Sequence, residues 1–183
     1  MRCMDNITLG LDISTSITGA TVIQDGKIIK TTFWDTRNKN KFETIYDKAK
    51  FVKTQLEDLA FDYKISSIYI EQSLHSFRSG FSSAQTLSTL SRFNGIVSWI
   101  CWDLFGIQPE MIAATSARKQ AGVEIKRGDN AKEKVLQFVL DNFPQIEIQY
   151  TKQGNPKPGT LDMCDSIVIA LAGDNIVRQA KTS

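Results

Sequence analysis

Long apolar runs are missing from this chain. No stretch approaches the ~20 consecutive apolar residues that cross a bilayer, and Met1, Arg2, Cys3, Met4, Asp5 and Asn6 lack the apolar segment of a secretory signal. Cysteine is scarce. Cys3, Cys101 and Cys164 are odd in number and match no zinc-ligand spacing. Cys101 and Cys164 fall inside apolar helical patterns and read as small core residues. A soluble protein in a reducing, intracellular setting is expected. It would be cytoplasmic or nucleoid-associated, with an organelle or a virus-infected cell left open. Histidine occurs once, at His75, where a lone loop histidine reads as exposed rather than catalytic. A strong charge of one sign is also absent: the formal net charge is +2, a weak argument for a nucleic-acid partner by itself. There is no P-loop, internal repeat, low-complexity tract or interdomain linker, so a single domain over 1–183 is expected. At this size about 70% of the unfolded chain's surface is buried, and the core needs no staples.

The charge that is present is uneven. Between Ser116 and Lys134, Arg118, Lys119, Lys126, Arg127, Lys132 and Lys134 stand against Glu124, Asp129 and Glu133, a net +3. Such a stretch is either a solvated face or one that meets phosphates.

Hydrophobic periodicity divides the chain into strands and helices. Residues 7–13 alternate, with Ile7, Leu9, Leu11 and Ile13 on one face and Thr8, Gly10 and Asp12 on the other. Residues 17–23 and 27–34 continue a meander through an Asp25-Gly26 hairpin turn. A helix spans 42–62, a fourth strand 66–71, and a loop 72–82. Ser82 or Ser83 can cap a long helix that ends near Gly106. A short strand follows at 109–113, then helices at 115–121 and 130–142 and a polar Gly/Pro loop at 149–160. Thr160 can cap a last helix, 161–180. A meander followed by alternating helices and strands makes an α/β domain with a mixed sheet.

Four acids stand out. Asp12 lies within a strand, where aspartate is disfavoured, among the small residues Thr8, Gly10 and Ser14. Glu71 ends another strand on its non-apolar face. Asp162 and Asp165, three apart, share one face at a helix start, where the helix dipole also favours acids. Each has a bland reading alone. If they converge, about four negative charges crowd one site and raise each other's proton affinity. Divalent cations compensate, and oxygen-only ligands select Mg²⁺ or Mn²⁺. Two such ions about 4 Å apart support in-line hydrolysis of a phosphodiester.

The strand LGLDIS (9–14), the strand end IEQ (70–72) and the helix start DMCDSIVIAL (162–171) resemble the three acidic motifs of RuvC Holliday-junction resolvases, members of the RNase H-like (retroviral integrase) superfamily. The resemblance spans roughly residues 7–173. It implies an RNase H-like fold with a five-stranded mixed sheet in the order 3-2-1-4-5, flanked by helices. It also implies that Asp12, Glu71, Asp162 and Asp165 bind two Mg²⁺ ions, with Mn²⁺ able to substitute. The implied enzyme is a homodimer that nicks opposite strands of a four-way DNA junction, leaving 5′-phosphate and 3′-hydroxyl ends.

Further expectations follow from the resemblance. The helix after Glu71, with Ser88, Thr89, Leu90, Ser91, Asn94 and Gly95, would supply much of the dimer contact; the alternative is that it packs on the core on one side and meets solvent on the other. In the loop before it, Phe77 would stack on junction bases, with Phe81 second, although Phe81 also reads as a core residue. Arg78 would touch a phosphate. Lys119 and Lys132 look like the family's basic residues beside the site, and Arg118, Lys126 and Arg127 would extend the DNA-binding face. One departure stands after Asp12, where Ile13-Ser14 replaces the proline or glycine of many relatives.

Three rival readings stand beside this one. An actin-like or sugar-kinase ATPase shares the opening strand, but needs a second lobe and an adenosine motif that the chain does not show, so no nucleotide cofactor is expected. A non-catalytic junction binder would have lost an acid, and all four are present. Another RNase H-like nuclease, acting on other branched DNA or RNA–DNA hybrids, differs only in substrate.

Overall fold

The computed structural model describes residues 6–72 and 84–182. Strand β1 (Ile7–Asp12) buries Leu9 and Leu11 completely on one face and turns Thr8, Gly10 and Asp12 to the other. It pairs antiparallel with β2 (Ile17–Gln24), which pairs with β3 (Lys27–Asp35). Asp25 (φ 47°) and Gly26 (φ 82°) form the two-residue turn between them, the left-handed pair that matches strand twist.

Helix α1 (Ile45–Asp62) begins later than the apolar periodicity suggests. A capping box decides its start: the Thr44 hydroxyl accepts from the Asp47 N–H, and the Asp47 carboxylate accepts from the Thr44 N–H at 2.8 Å. Phe42 instead folds beneath the helix, its ring centroid 5.3 Å from that of Phe51. Strand β4 (Ser67–Glu71) runs parallel to β1. Helix α2 (Ala84–Phe105), β5 (Glu110–Ile112), α3 (Ala114–Ala121), α4 (Ala131–Asn142) and α5 (Thr160–Thr182) complete the chain. Ser82 and Ser83, the proposed caps of α2, lie outside the described residues. Thr160 is the first residue of α5 rather than its cap, because the Gly159 carbonyl already accepts from the Met163 N–H at 2.9 Å.

The sheet order is β3-β2-β1-β4-β5, a five-stranded mixed α/β sheet flanked by helices. Leu9, Leu11, Ile68 and Ile70 pack against α1 and α2 through Val52, Leu56, Phe93 and Val97. Tyr69 and Ile112 on the opposite face pack with α3, α4 and α5. Burying a side chain of this size contributes about 1.5–3 kcal/mol, so both central strands are fixed along their length. Cys101 and Cys164 are buried free thiols, and burial pushes both up to about 12; Cys3 lies outside the described residues. Among the described residues no helix is long and apolar enough to cross a membrane.

One stripe of α5 sets its register on the sheet. At intervals of four residues, Asp162, Ser166, Ala170 and Asp174 face the sheet. An ideal Cβ at Gly19 would strike the Asp162 carbonyl, and one at Gly10 would lie 2.6 Å from the Ala170 Cα. The Thr21 and Ser166 hydroxyls share a 2.7 Å hydrogen bond. Asn6 Nδ2 donates to Asp174 Oδ1 at 2.7 Å. The helix therefore runs antiparallel to β1, with its first turn over the end of the strand that carries Asp12.

Candidate carboxylate site

Asp12 is the last residue of β1 and Glu71 the last of the adjacent parallel β4, each directly after the paired residues Leu11 and Ile70. Both project from the sheet face that carries α5. Asp12 sits opposite Gly19 on β2, and Gly19 lies under Asp162. Two strand ends and the first two turns of one helix thus bring all four acids to one place, each partly buried.

The segment after Asp12 is tied down on three sides. The Ser14 hydroxyl accepts from the Ser16 and Ile17 N–H groups and donates to the Ile17 carbonyl at 2.8 Å. Lys48 of α1 donates to the Thr15 carbonyl. The buried Thr36 donates through its N–H to the Ser16 carbonyl at 2.8 Å. Ser14 thus closes the turn through side-chain hydrogen bonds, at the position where the sequence departs from the resolvase pattern. Glu71 is held from two sides. Asn94 Nδ2 donates to its carbonyl at 3.3 Å, and the next N–H, of Gln72, donates to the Ile112 carbonyl at 2.9 Å. Asn94 is 5% exposed. It faces inward rather than lying on a dimer face, a correction to its expected place.

The electrostatics are those of a crowded anion cluster. Burial raises the Asp12 carboxyl well above its ordinary range, and the charges of Glu71, Asp165 and Asp162 raise it further. Glu71 is raised by burial and by Asp165, Asp162 by burial, and Asp165 by burial and by Asp162. Lys132 opposes the rise at all four acids, and Arg118 does so at Glu71 and Asp165. Lys132 lies in the first turn of α4, where the Asn130 side chain caps the helix by accepting the Lys132 N–H at 3.1 Å. Arg118 lies on α3, which Asn175 of α5 ties down through the Gln120 carbonyl at 3.0 Å.

The structure does not bring Lys119 to the carboxylates. Successive helical residues point about 100° apart, and on α3 it is Arg118 that faces Glu71 and Asp165. Lys119 is exposed and lines a neighbouring concavity with Thr115, Arg118, Glu124 and Ile125. Lys126 and Arg127 are exposed in the connection between α3 and α4. Phe77, Arg78 and Phe81, with Leu74 and His75, lie outside the described residues. Sequence reasoning missed Arg37, whose charge opposes the rise at Asp162. Its signal was the run Arg37, Lys39, Lys41 directly after β3.

The donor set suits a hard divalent cation in kind: carboxylate oxygens only, with proton affinities raised by burial first and, at Asp12, Glu71 and Asp165, by neighbouring acids. Among the described residues no three acids, histidines or cysteines form a ready-made cage. Mg²⁺ rarely uses such a cage; it is held by one or two carboxylates together with waters and substrate phosphate oxygens. The residues fit on those terms.

No family model and no curated protein sequence matches the chain. Solved structures do. RuvC of Thermus thermophilus, in complex with Holliday junction substrate, superposes with a TM-score of 0.68 at 14% identity, covering 95% of this chain and 96% of that one. A second structure of T. thermophilus RuvC gives 0.65 at 15% identity, with the same coverage. The yeast mitochondrial Holliday junction resolvase Ydc2 gives 0.64 at 14% identity, over 97% of this chain and 81% of its own. At these identities the likeness is one of fold: this chain has the RNase H-like fold of those proteins over nearly its whole length.

Proposed function

We propose that the chain is a structure-selective endonuclease that resolves four-way DNA junctions by metal-dependent phosphodiester hydrolysis. The observation that carries this reading is the gathering of Asp12, Glu71, Asp162 and Asp165 at one end of a RuvC-like sheet. A fold alone does not make an enzyme, and it is the complete acidic set that argues for catalysis. The four carboxylates would hold two Mg²⁺ ions, or Mn²⁺, which when bound would activate water and stabilise the leaving oxygen. Lys132 and Arg118, two of the cations that face the cluster, would bind the phosphate's outer oxygens and offset charge that builds up during cleavage. Water would attack the phosphorus in line and the 3′ oxygen would leave, giving 5′-phosphate and 3′-hydroxyl ends.

The enzyme would act as a homodimer. Helix α2 carries an exposed stripe at helical spacing: Ser88, Ser91, Gly95, Trp99 and Trp102. Trp99 and Trp102 are 57% and 54% exposed, and a Cβ at Gly95 would meet nothing within 4 Å. A two-fold pairing of this stripe would cover both indoles and place two sites on opposite strands.

The experiment compares cleavage of a synthetic four-way junction with cleavage of linear duplex, forked DNA and an RNA–DNA hybrid, all in Mg²⁺. Paired symmetric nicks confined to the junction are expected. Cutting of the fork or hybrid alone would keep the nuclease and change its substrate. A folded protein that binds the junction and cuts nothing would make it a junction-binding protein.

A further inference from the structure

Arg118 lies on α3, which directly follows the edge strand β5, and its charge acts on Glu71 at the end of β4, so it stands on the β4–β5 side of the carboxylates. The sheet order places β3 on the other side. Adjacent strands are about 4.8 Å apart, so β3 runs roughly 10 Å from β1. The end of β3 reaches the rim of the site: Phe33 pairs with Gly19, Gly19 pairs with Asp12, and Asp35 pairs with Ile17.

The chain just beyond β3 is both basic and fixed. Arg37, Lys39 and Lys41 stand against two acids, Asp35 and Glu43, over residues 35–44. Thr36, 2% exposed, anchors the segment to the Ser16 carbonyl through its N–H at 2.8 Å and its hydroxyl at 3.1 Å. The Asn38 side chain accepts from the Asn40 and Lys41 N–H groups, closing a turn. The Lys41 ammonium stands 5.3 Å from the ring centroids of both Phe42 and Phe51.

Arg37 is oriented as well. Its Nε and Nη2 donate to Asp35, the shortest contact being 2.6 Å, while its Nη1 has no partner among the described residues. Asp35 is held below the ordinary carboxylate range by that guanidinium. An exposed pair of this kind adds little stability; it occupies the Nε–Nη2 edge of the guanidinium and directs Nη1 outward as the donor left for a phosphate oxygen. Arg37, Asn38, Lys41 and Phe42 line a shallow concavity with Asp35.

We propose that this β3–α1 connection is a second DNA-backbone contact, in which Arg37 and Lys41 hold a phosphate of the strand that crosses the carboxylates. The proposal rests on the nucleic-acid reading above. It gives the strand a cation on each flank of an anionic site that would otherwise repel it. The phosphate held here lies within a few nucleotides of the one cleaved.

The test measures junction binding against salt concentration in an Asp162→Asn background, so that cutting does not intervene. Adding Arg37→Gln is expected to weaken binding roughly fivefold and to lower the slope of log affinity on log salt by about one. Adding Lys41→Gln as well weakens binding further but keeps the loss of slope near one, since both side chains hold the same phosphate, while Arg37→Lys retains the slope. In a series of neutral methylphosphonates placed singly within a few nucleotides of the cut, one should reproduce the Arg37→Gln loss and add nothing to it. Both side chains are exposed, and unchanged thermal melting would show that the variants fold. Unchanged affinity and slope in the double variant would overturn this contact and leave the nuclease reading standing. A parent protein that binds no DNA would overturn both. A wild type that binds but never cuts would overturn only the nuclease reading, with the slopes still deciding this contact.

Discussion

Asp12 is the residue on which the site turns. It is carried into a partly buried position by a strand whose other face is core, and three further acids press on it. Its carboxyl is raised well above the ordinary 3.8 by burial first and by Glu71, Asp165 and Asp162 next. Below the ordinary value both the folded and unfolded chains hold the proton. As pH rises past it the unfolded chain releases the proton first, and stability falls until pH passes the raised native value. Asp12→Asn removes this penalty. In metal-free buffer near neutral pH the variant should be more stable than wild type by roughly 1–2 kcal/mol, or about 2–8 °C in melting temperature for a domain of this size. The advantage should shrink as pH approaches 4 and reverse when Mg²⁺ is added, because wild type gains more from the ion. A pH-independent difference would contradict the raised proton affinity of Asp12 in the folded chain. The acids were legible in the sequence because a charge among small residues on a strand, and two acids three apart at a helix start, are patterns with a chemical meaning. Arg37 was not legible as a neighbour of Asp162, because strand pairing through Gly19, rather than any spacing, brings the two together. The choice of Arg118 over Lys119 turned on the phase of an eight-residue helix, which the residue pattern left open.

At the scale of the elements, the contact of α5 with β1 and β2 places half the acidic set. Gly19 permits it, since an ideal Cβ there would strike the Asp162 carbonyl. Gly19→Ala should therefore cost about 1–3 kcal/mol, the usual penalty for overpacking a tight contact. Cleavage should fall by more than this loss of folded protein explains, because the displaced atoms belong to the helix turn that carries Asp162. Paired melting and cleavage measurements at a temperature where the variant is folded would check this. Unchanged melting and unchanged cutting together would mean that the helix does not lie so close. The element boundaries were largely readable. The Asp25-Gly26 turn, the Phe105–Gly106 stop and the polar loop before α5 each have a local cause. The start of α1 moved because Thr44 and Asp47 form a cap that apolar spacing ignores. The meaning of Gly10 and Gly19 was hidden, since it arises only when a helix more than 140 residues later docks on them.

At the scale of the whole molecule, the resemblance anticipated the sheet order, which periodicity alone does not specify. The α2 surface has two levels: its inward face carries Phe93, Asn94 and Val97, and its outward face presents Trp99 and Trp102. Trp99→Glu should convert a dimer to a monomer in sedimentation, leave the thermal transition of the protomer in place, and change paired junction cuts to sparse single nicks. A wild type that sediments as a monomer at micromolar concentration, on DNA as well as off it, would contradict the paired arrangement. The central claim is that the gathered carboxylates catalyse cleavage rather than merely share a fold with proteins that cleave. The measurement that tests it most directly is the rate of four-way junction cutting in Mg²⁺ by wild type and by Asp162→Asn, with binding measured on the same preparations. The account predicts metal-dependent cutting by wild type, at least a thousandfold slower cutting by the variant if the acid contributes about 4 kcal/mol or more to the transition state, and junction affinity that is unchanged or higher. Cutting by Asp162→Asn at the wild-type rate would contradict it.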